Sequence, residues 1–202
     1  VRHLAQACDD VGAHLVHIST DYVFDGTSDR PDREDDPTHP QSADGRSKLA
    51  GERAAVEVLG DRATIARTSW VCGEHGNNMV KLVRRLATDG SPMAFVDDQR
   101  GCPSFTADLA PALRWLAAER VGGVVHLTNS GAVSWYEFVR EILAASGRDP
   151  ELVEPIATSE LSPPRPAPRP ANSELDHVRW VALGQRPLRD FRAPLSELVA
   201  RL

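Results

Sequence analysis

His17-Ile18-Ser19-Thr20-Asp21-Tyr22-Val23-Phe24-Asp25-Gly26 is the stretch on which the fold turns. The apolar run from Ala13 to Ile18 predicts a short buried strand, with Ser19-Thr20-Asp21 at its C-terminal end. In open α/β sheets that end is where ligands bind. Beyond it, Asp25-Gly26 is a turn signal, and a polar loop reaches Pro40 through the breaks Asp36-Pro37 and His39-Pro40. Its acidic run Glu34-Asp35-Asp36 reads as solvated loop.

Working outward, residues 1–10 read as the end of a helix. Helical spacing covers Gly45 to Leu59, Asn77 to Thr88, Thr106 to Glu119 and Ser134 to Ala145, and a last helix is expected over Pro194 to Leu202. Ser134 with Glu137 three residues on forms a capping box, and Thr106 and Asp108 stand near the start of their helix. Between the helices, Ala63 to Thr68, Met93 to Val96 and Val124 to Leu127 read as strands. Strands that alternate with helices imply parallel βαβ units and a sheet covered on both faces. Prolines crowd residues 155–170, which predicts an extended, irregular segment. It leads into Asn172-Ser173-Glu174-Leu175-Asp176, read as part of a small C-terminal lobe strapped to the sheet.

Composition narrows the partners. The 202 residues carry a formal net charge of −6, with no basic block of the kind a nucleic-acid backbone requires. No apolar run approaches a membrane span, and the first residues are too polar for a signal peptide. Cys8, Cys72 and Cys102 stand far apart in odd number, the pattern of reduced thiols in a cytoplasmic protein. The 7 histidines show no metal-ligand spacing, so no metal is expected. Only Lys48 and Lys81 are lysines among 23 Lys plus Arg, so the position of each is informative.

Several further motifs follow the opening stretch in order: Gly45-Arg46-Ser47-Lys48-Leu49-Ala50-Gly51-Glu52, Arg67-Thr68-Ser69-Trp70-Val71 and Asp97-Asp98-Gln99-Arg100-Gly101-Cys102-Pro103. Ser134-Trp135-Tyr136-Glu137-Phe138 and Arg169-Pro170-Ala171-Asn172-Ser173-Glu174-Leu175-Asp176 complete the set. Together they resemble the extended short-chain dehydrogenase/reductases of the dTDP-4-dehydrorhamnose reductase type, from about Ala5 onward. They also resemble a relative of that family, the methionine adenosyltransferase regulatory subunit. The resemblance implies an α/β fold: a partial Rossmann-type, doubly wound parallel sheet over residues 1–130, interleaved with a small C-terminal substrate-binding lobe over residues 131–202. No G-x-x-G-x-x-G or G-x-G-x-x-G occurs, and the chain opens on Val1 in helix-like sequence, so the first strands and the glycine-rich turn are expected to be missing.

By the same resemblance the chemistry is NADPH- or NADH-linked reduction of a dTDP-sugar, dTDP-4-dehydro-L-rhamnose to dTDP-L-rhamnose. The hydride acceptor becomes an alkoxide, which a tyrosine of Y-x-x-x-K protonates while the lysine holds the cofactor ribose. Thr20 matches the strand-end hydroxyl and Lys48 the lysine, although a turn residue and a solvated helix lysine are the plain alternatives. Asp44 stands where the tyrosine belongs, and Pro31-Asp32-Arg33-Glu34 replaces a usual Pro-Tyr-x-Glu. A free Asp titrates at about 3.9, so an Asp44–Lys48 ion pair on the helix is expected rather than a neutral acid, and reductase activity is expected to be impaired. The catalytic candidates are thus Thr20, Asp44 and Lys48. Ser19, Lys48, Thr68 and Ser69 would face the cofactor. Tyr22, Trp70, Asn78, Gln99 and Arg169 would face the substrate, with Trp70 equally readable as a core aromatic and the last three as solvent-facing. A non-catalytic sugar-nucleotide-binding or regulatory homologue and a gene fragment are the competing readings. The open edge of the 13–18 strand implies a homodimer or self-association.

Overall fold

A computed structural model describes residues 1–202. In chain order the elements are α1 (Arg2–Asp10), β1 (Leu15–Thr20), α2 (Ala43–Leu59), β2 (Ala63–Thr68), β3 (Val71–Cys72), α3 (Met79–Asp89), β4 (Met93–Val96), β5 (Arg100–Gly101), β6 (Ser104–Phe105) and α4 (Thr106–Ala118). β7 (Gly123–His126), β8 (Asn129–Ser130), β9 (Val133–Ser134), α5 (Trp135–Ala145), β10 (Val153–Ile156), α6 (Val178–Ala182), β11 (Leu188–Asp190) and α7 (Arg192–Arg201) follow. No helix is long and apolar enough to cross a membrane.

The main sheet is parallel, in the order β1-β2-β7. β2 is buried at every position because both of its faces are covered. On the Ile65 face, α1 and α2 contribute Ala5, Ala55 and Leu59. On the Ala66 face, α4 contributes Leu109, Ala112 and Leu116. β1 is an edge strand, and Ile18 on it is 40% exposed. Beside it an apolar groove of about 210 Å³ opens between Ile18, Ala66, Thr68, Val71, Leu109 and Leu113.

The second and larger core joins residues 72–105 to the C-terminal part of the chain. Phe105, Phe138, Ile142, Phe191 and Leu195 lie at its centre. β10 pairs in parallel with β4, β11 with β8 and β3 with β6, whereas β5 and β9 are antiparallel. The proline-rich segment then gives way to a strap that is tightly held. Asn172 and Ser173 donate their N–H groups to the carbonyls of Gly26 (3.1 Å) and Arg100 (2.9 Å). Asp32 N–H donates to Glu174, and Asp176 N–H to Asp32, both at 2.8 Å. Gly26 permits this crossing, because at its φ of 77° a Cβ would stand 2.1 Å from Pro170 Cβ.

Three local expectations are corrected. The first strand runs Leu15–Thr20, not Ala13–Ile18, because Ser19 and Thr20 continue the ladder opposite Arg67 and Thr68. Glu34 and Asp36 are fastened rather than solvated. Glu34 accepts from the N–H groups of His126 and Arg179, and Asp36 pairs with Arg30 at 2.7 Å. Thr106 does not cap α4. Phe105 precedes that helix without a side-chain cap, and Asp108 instead accepts from Asn129 and pairs with Arg189.

Candidate active site

Thr20 and Thr68 end β1 and β2 as register partners, so the strand-end hydroxyls lie side by side. Thr20 starts a 3-10 turn over Asp21–Val23. Its Oγ1 accepts from Tyr22 N–H at 3.2 Å and donates to Asp21 Oδ1 at 2.9 Å. Asp21 is buried, and its Oδ2 has no partner. Burial pushes this carboxyl up to about 7, against the opposing pull of the nearby Ser173 hydroxyl and of the Thr20 hydrogen bond. The Tyr22 phenol is likewise raised, first by burial and then by Asp21, while Arg169 and Arg165 act in the opposite sense. Arg169 lies near enough to act on that phenol, so the strap brings a guanidinium towards the strand end. Burial and the charge of Arg169 lower Arg165.

Beneath these groups lies a buried frame. Glu52 from α2 receives Arg67 from β2 through two nitrogens at 3.0 and 2.7 Å, and it also accepts from Ser19. Phe24 lies under the guanidinium, 5.1 Å from its centre. Burial and then Arg67 push His126 down to about 3. This neutral ring is positioned to accept from Arg67 at Nε2 and to donate from Nδ1 to the Asp176 carbonyl at 3.1 Å. Ser19 is therefore spent on the frame. Ser69 is spent similarly, donating to the Cys102 carbonyl at 2.7 Å. Thr68 differs: its Oγ1 is buried without a partner, and the residue borders the apolar groove.

Lys48 and Asp44 do not form the expected pair. Asp44 is exposed in the first turn of α2, where Ser42 caps the helix by accepting from Gly45 N–H at 3.1 Å. Lys48 instead sits half-buried facing β1, where its charge adds to burial in lowering His17. Neither residue makes an ion pair. Trp70 follows β2 in a left-handed conformation (φ 46°), and its indole stacks on that of Trp135 at 3.6 Å. Gln99 is buried, donating to Thr158 Oγ1 at 2.8 Å with its own Oε1 unpartnered. Asn78 is the N-cap of α3, and its side chain bonds Gly73 and Lys81, which leaves it occupied by local structure.

The strand ends and the strap thus gather Thr20, Asp21, Tyr22, Thr68 and Arg169, with Trp70 close by. Asp21, Trp135 and Arg165 are additions to the residues singled out from sequence. All three lay inside or beside quoted motifs, but what marks them is tertiary: burial, stacking and proximity to Tyr22.

A parallel sheet covered on both faces, with hydroxyls and a buried acid at its strand ends and a C-terminal strap across them, defines a protein of the Rossmann-type α/β class. The chain belongs to the RmlD substrate binding domain family, whose model matches residues 1–202. It is 47% identical over 201 residues to the dTDP-4-dehydrorhamnose reductase of Streptomyces griseus, covering 97% of this chain and 66% of that one. The dTDP-4-dehydrorhamnose reductase of Mycobacterium tuberculosis matches at 43% identity, again with 66% of its length covered. Among solved structures, dTDP-4-dehydrorhamnose reductase from Bacillus anthracis in complex with NADP superposes with a TM-score of 0.94 at 33% identity. That match covers 100% of this chain and 70% of the other. The chain therefore spans about two thirds of the length of the relatives it matches.

Proposed function

We propose that this chain forms the substrate-facing part of a dTDP-4-dehydrorhamnose reductase, binding a dTDP-4-keto-6-deoxy sugar at the strand ends beneath the strap. The observation that carries this reading is the strap itself. Its backbone is bonded to Gly26, Asp32 and Arg100, and it sets Arg169 against Tyr22 immediately beside Thr20. A guanidinium there suits a diphosphate, and the Thr20 hydroxyl suits the reacting sugar oxygen.

The nicotinamide cofactor of the family supplies a hydride when bound. The residues present fit its nicotinamide-ribose end: Lys48 is free of any carboxylate, and Thr68 Oγ1 is buried and unpartnered. Seating the cofactor diphosphate calls for a glycine-rich turn at a helix N-terminus, and these 202 residues hold no such fingerprint. Proton supply is the weak link, since Asp44 stands exposed where the tyrosine of the motif belongs. That observation favours a second reading, sugar-nucleotide binding without turnover. A reducing role in the cytoplasm and self-association through the open β1 edge complete the proposal.

Calorimetric titration with dTDP-L-rhamnose tests it. Binding at micromolar to low-millimolar concentration, abolished by Arg169→Ala, is the expected result. Absence of binding would sink both readings. Binding together with NADPH oxidation on addition of the 4-keto sugar selects the first reading, and binding alone selects the second. Sedimentation of the chain with and without Ile18→Lys reads the association separately.

A further inference from the structure

We propose that Trp135 is a positioning residue, holding the Trp70 indole as a flat wall against the sugar of the bound nucleotide; this rests on the sugar-nucleotide reading given above. A bulky residue in the left-handed region, as Trp70 is at φ 46°, persists only where its surroundings over-determine it. Three contacts do so here. The Trp135 indole lies parallel to that of Trp70, 11° between planes and 3.6 Å between centroids. Phe138 backs both rings at 6.2 and 6.4 Å. Gly101 leaves room for the Trp70 ring edge, since a Cβ there would stand 2.7 Å from Trp70 Cε2.

Trp135 is itself fixed. It is the first residue of α5, directly after Ser134, whose capping box with Glu137 closes the helix start. Ser134 also donates to Asp97, Glu137 pairs with Arg100 at 3.3 Å, and β9 pairs with β5. The loop from 97 to 101 and the start of α5 therefore move as one piece, with the second indole mounted on it.

The same loop meets the strap. The Cβ position of Gly101 is also 2.7 Å from Ser173 Oγ, which donates to the Arg100 carbonyl at 3.1 Å and lies near enough to Asp21, the neighbour of Thr20, to draw its carboxyl downward. A planar aromatic wall thus stands next to the groups that would hold the reacting sugar oxygen. Indole faces pack well on the C–H face of a pyranose, and both rings are only partly buried. Without Trp135, Trp70 loses the partner that offsets its backbone strain and is free to leave that orientation.

The test compares Trp135→Leu and Trp135→Phe by calorimetry, with dTDP-L-rhamnose and plain dTDP as probes, and follows the four indole N–H signals by NMR. Trp135→Leu is expected to shift the Trp70 signal, leave Trp115 and Trp180 in place, and weaken dTDP-L-rhamnose at least about tenfold while dTDP stays within about twofold. Trp135→Phe, which keeps a stacking ring, should recover the sugar affinity to within about threefold. Equal weakening of both ligands, or an unmoved Trp70 signal, would overturn the assignment, as would unchanged affinity in Trp135→Leu. If the parent chain binds neither ligand, the functional reading fails on its own. An unmoved Trp70 signal would in that case still refute the positioning, and a shifted one would leave only its ligand to be replaced.

Discussion

Gly45 presses its backbone against the carbonyl of Tyr22, so closely that a methyl group at position 45 would stand 2.1 Å from that oxygen. This contact sets how near the start of α2 comes to the end of β1, and so where Asp44 and Lys48 lie relative to Thr20. Because the obstacle is backbone, neither side can yield by a rotamer change. Gly45→Ala is expected to cost about 1–3 kcal/mol, the usual range for overpacking. It should also weaken dTDP-L-rhamnose, since Tyr22 must move. Urea unfolding of the variant checks this, and a loss below about half a kcal/mol would show that the helix start can slide freely.

The Arg67–Glu52 pair is almost fully buried, with side chains 4% and 5% exposed. Such pairs add little net stability when formed but are costly to break, because one partner is left charged in a dry site. Glu52→Gln is expected to cost about 3–5 kcal/mol, whereas the double variant Glu52→Leu with Arg67→Met should cost clearly less. A double variant as unstable as the single one would mean that Ser19 and His126 depend on the pair for their own placement.

Burial of Asp21 makes stability depend on pH in a definite direction. Its folded carboxyl titrates at about 7, against about 3.9 in an unfolded chain, so the folded state holds the proton more tightly. The stability this group contributes is complete below about pH 4 and is progressively lost as pH rises to about 7. Buried neutral His126 acts in the opposite sense, losing stability as pH falls from about 6.5 towards 3, and comparison with a variant cancels it. Asp21→Asn should therefore gain on the parent protein as pH goes from 4 to 8, by at most about 4 kcal/mol. Parallel melting curves for the two across that range would place the Asp21 proton elsewhere.

The long elements were legible because their apolar spacing repeats: α2, α3, α4 and α5 all fall within two residues of their expected bounds. The two-residue strands β3, β5, β6, β8 and β9 carry no period at all, and only tertiary pairing creates them. β10 was hidden by Pro155, which the sheet tolerates because β10 pairs with β4 alone. At the site, Thr20 and Arg169 could be named from their motifs. Asp21 could not, since the sequence does not show that a carboxylate two residues before a Val is sealed from water. Asp44 and Lys48 failed as a pair for a related reason. Their four-residue spacing permits contact, but Lys48 turns inward to β1 and Asp44 remains in solvent.

Position 44 carries the sharpest test of the functional reading. Joined to the part of the Streptomyces griseus relative that has no counterpart in these 202 residues, the chain gains whatever that part supplies, so cofactor affinity ceases to be limiting. With Asp44 in place, the forming alkoxide lacks the phenol that Y-x-x-x-K sets one helical turn before the lysine, and Tyr22 on the strand-end turn is not held in that position. A positioned general acid is worth about two to four orders of magnitude in rate. Asp44→Tyr in the fusion is therefore expected to raise turnover of dTDP-4-dehydrorhamnose by at least about a hundredfold. Lys48→Ala on that background should remove most of the gain, because the lysine acts through the tyrosine and the cofactor ribose. Turnover by the Asp44 fusion within a few-fold of its tyrosine variant would show that the proton comes from elsewhere. Asp21, already hydrogen-bonded to Thr20 and holding its proton near neutral pH, would then be the group to replace next.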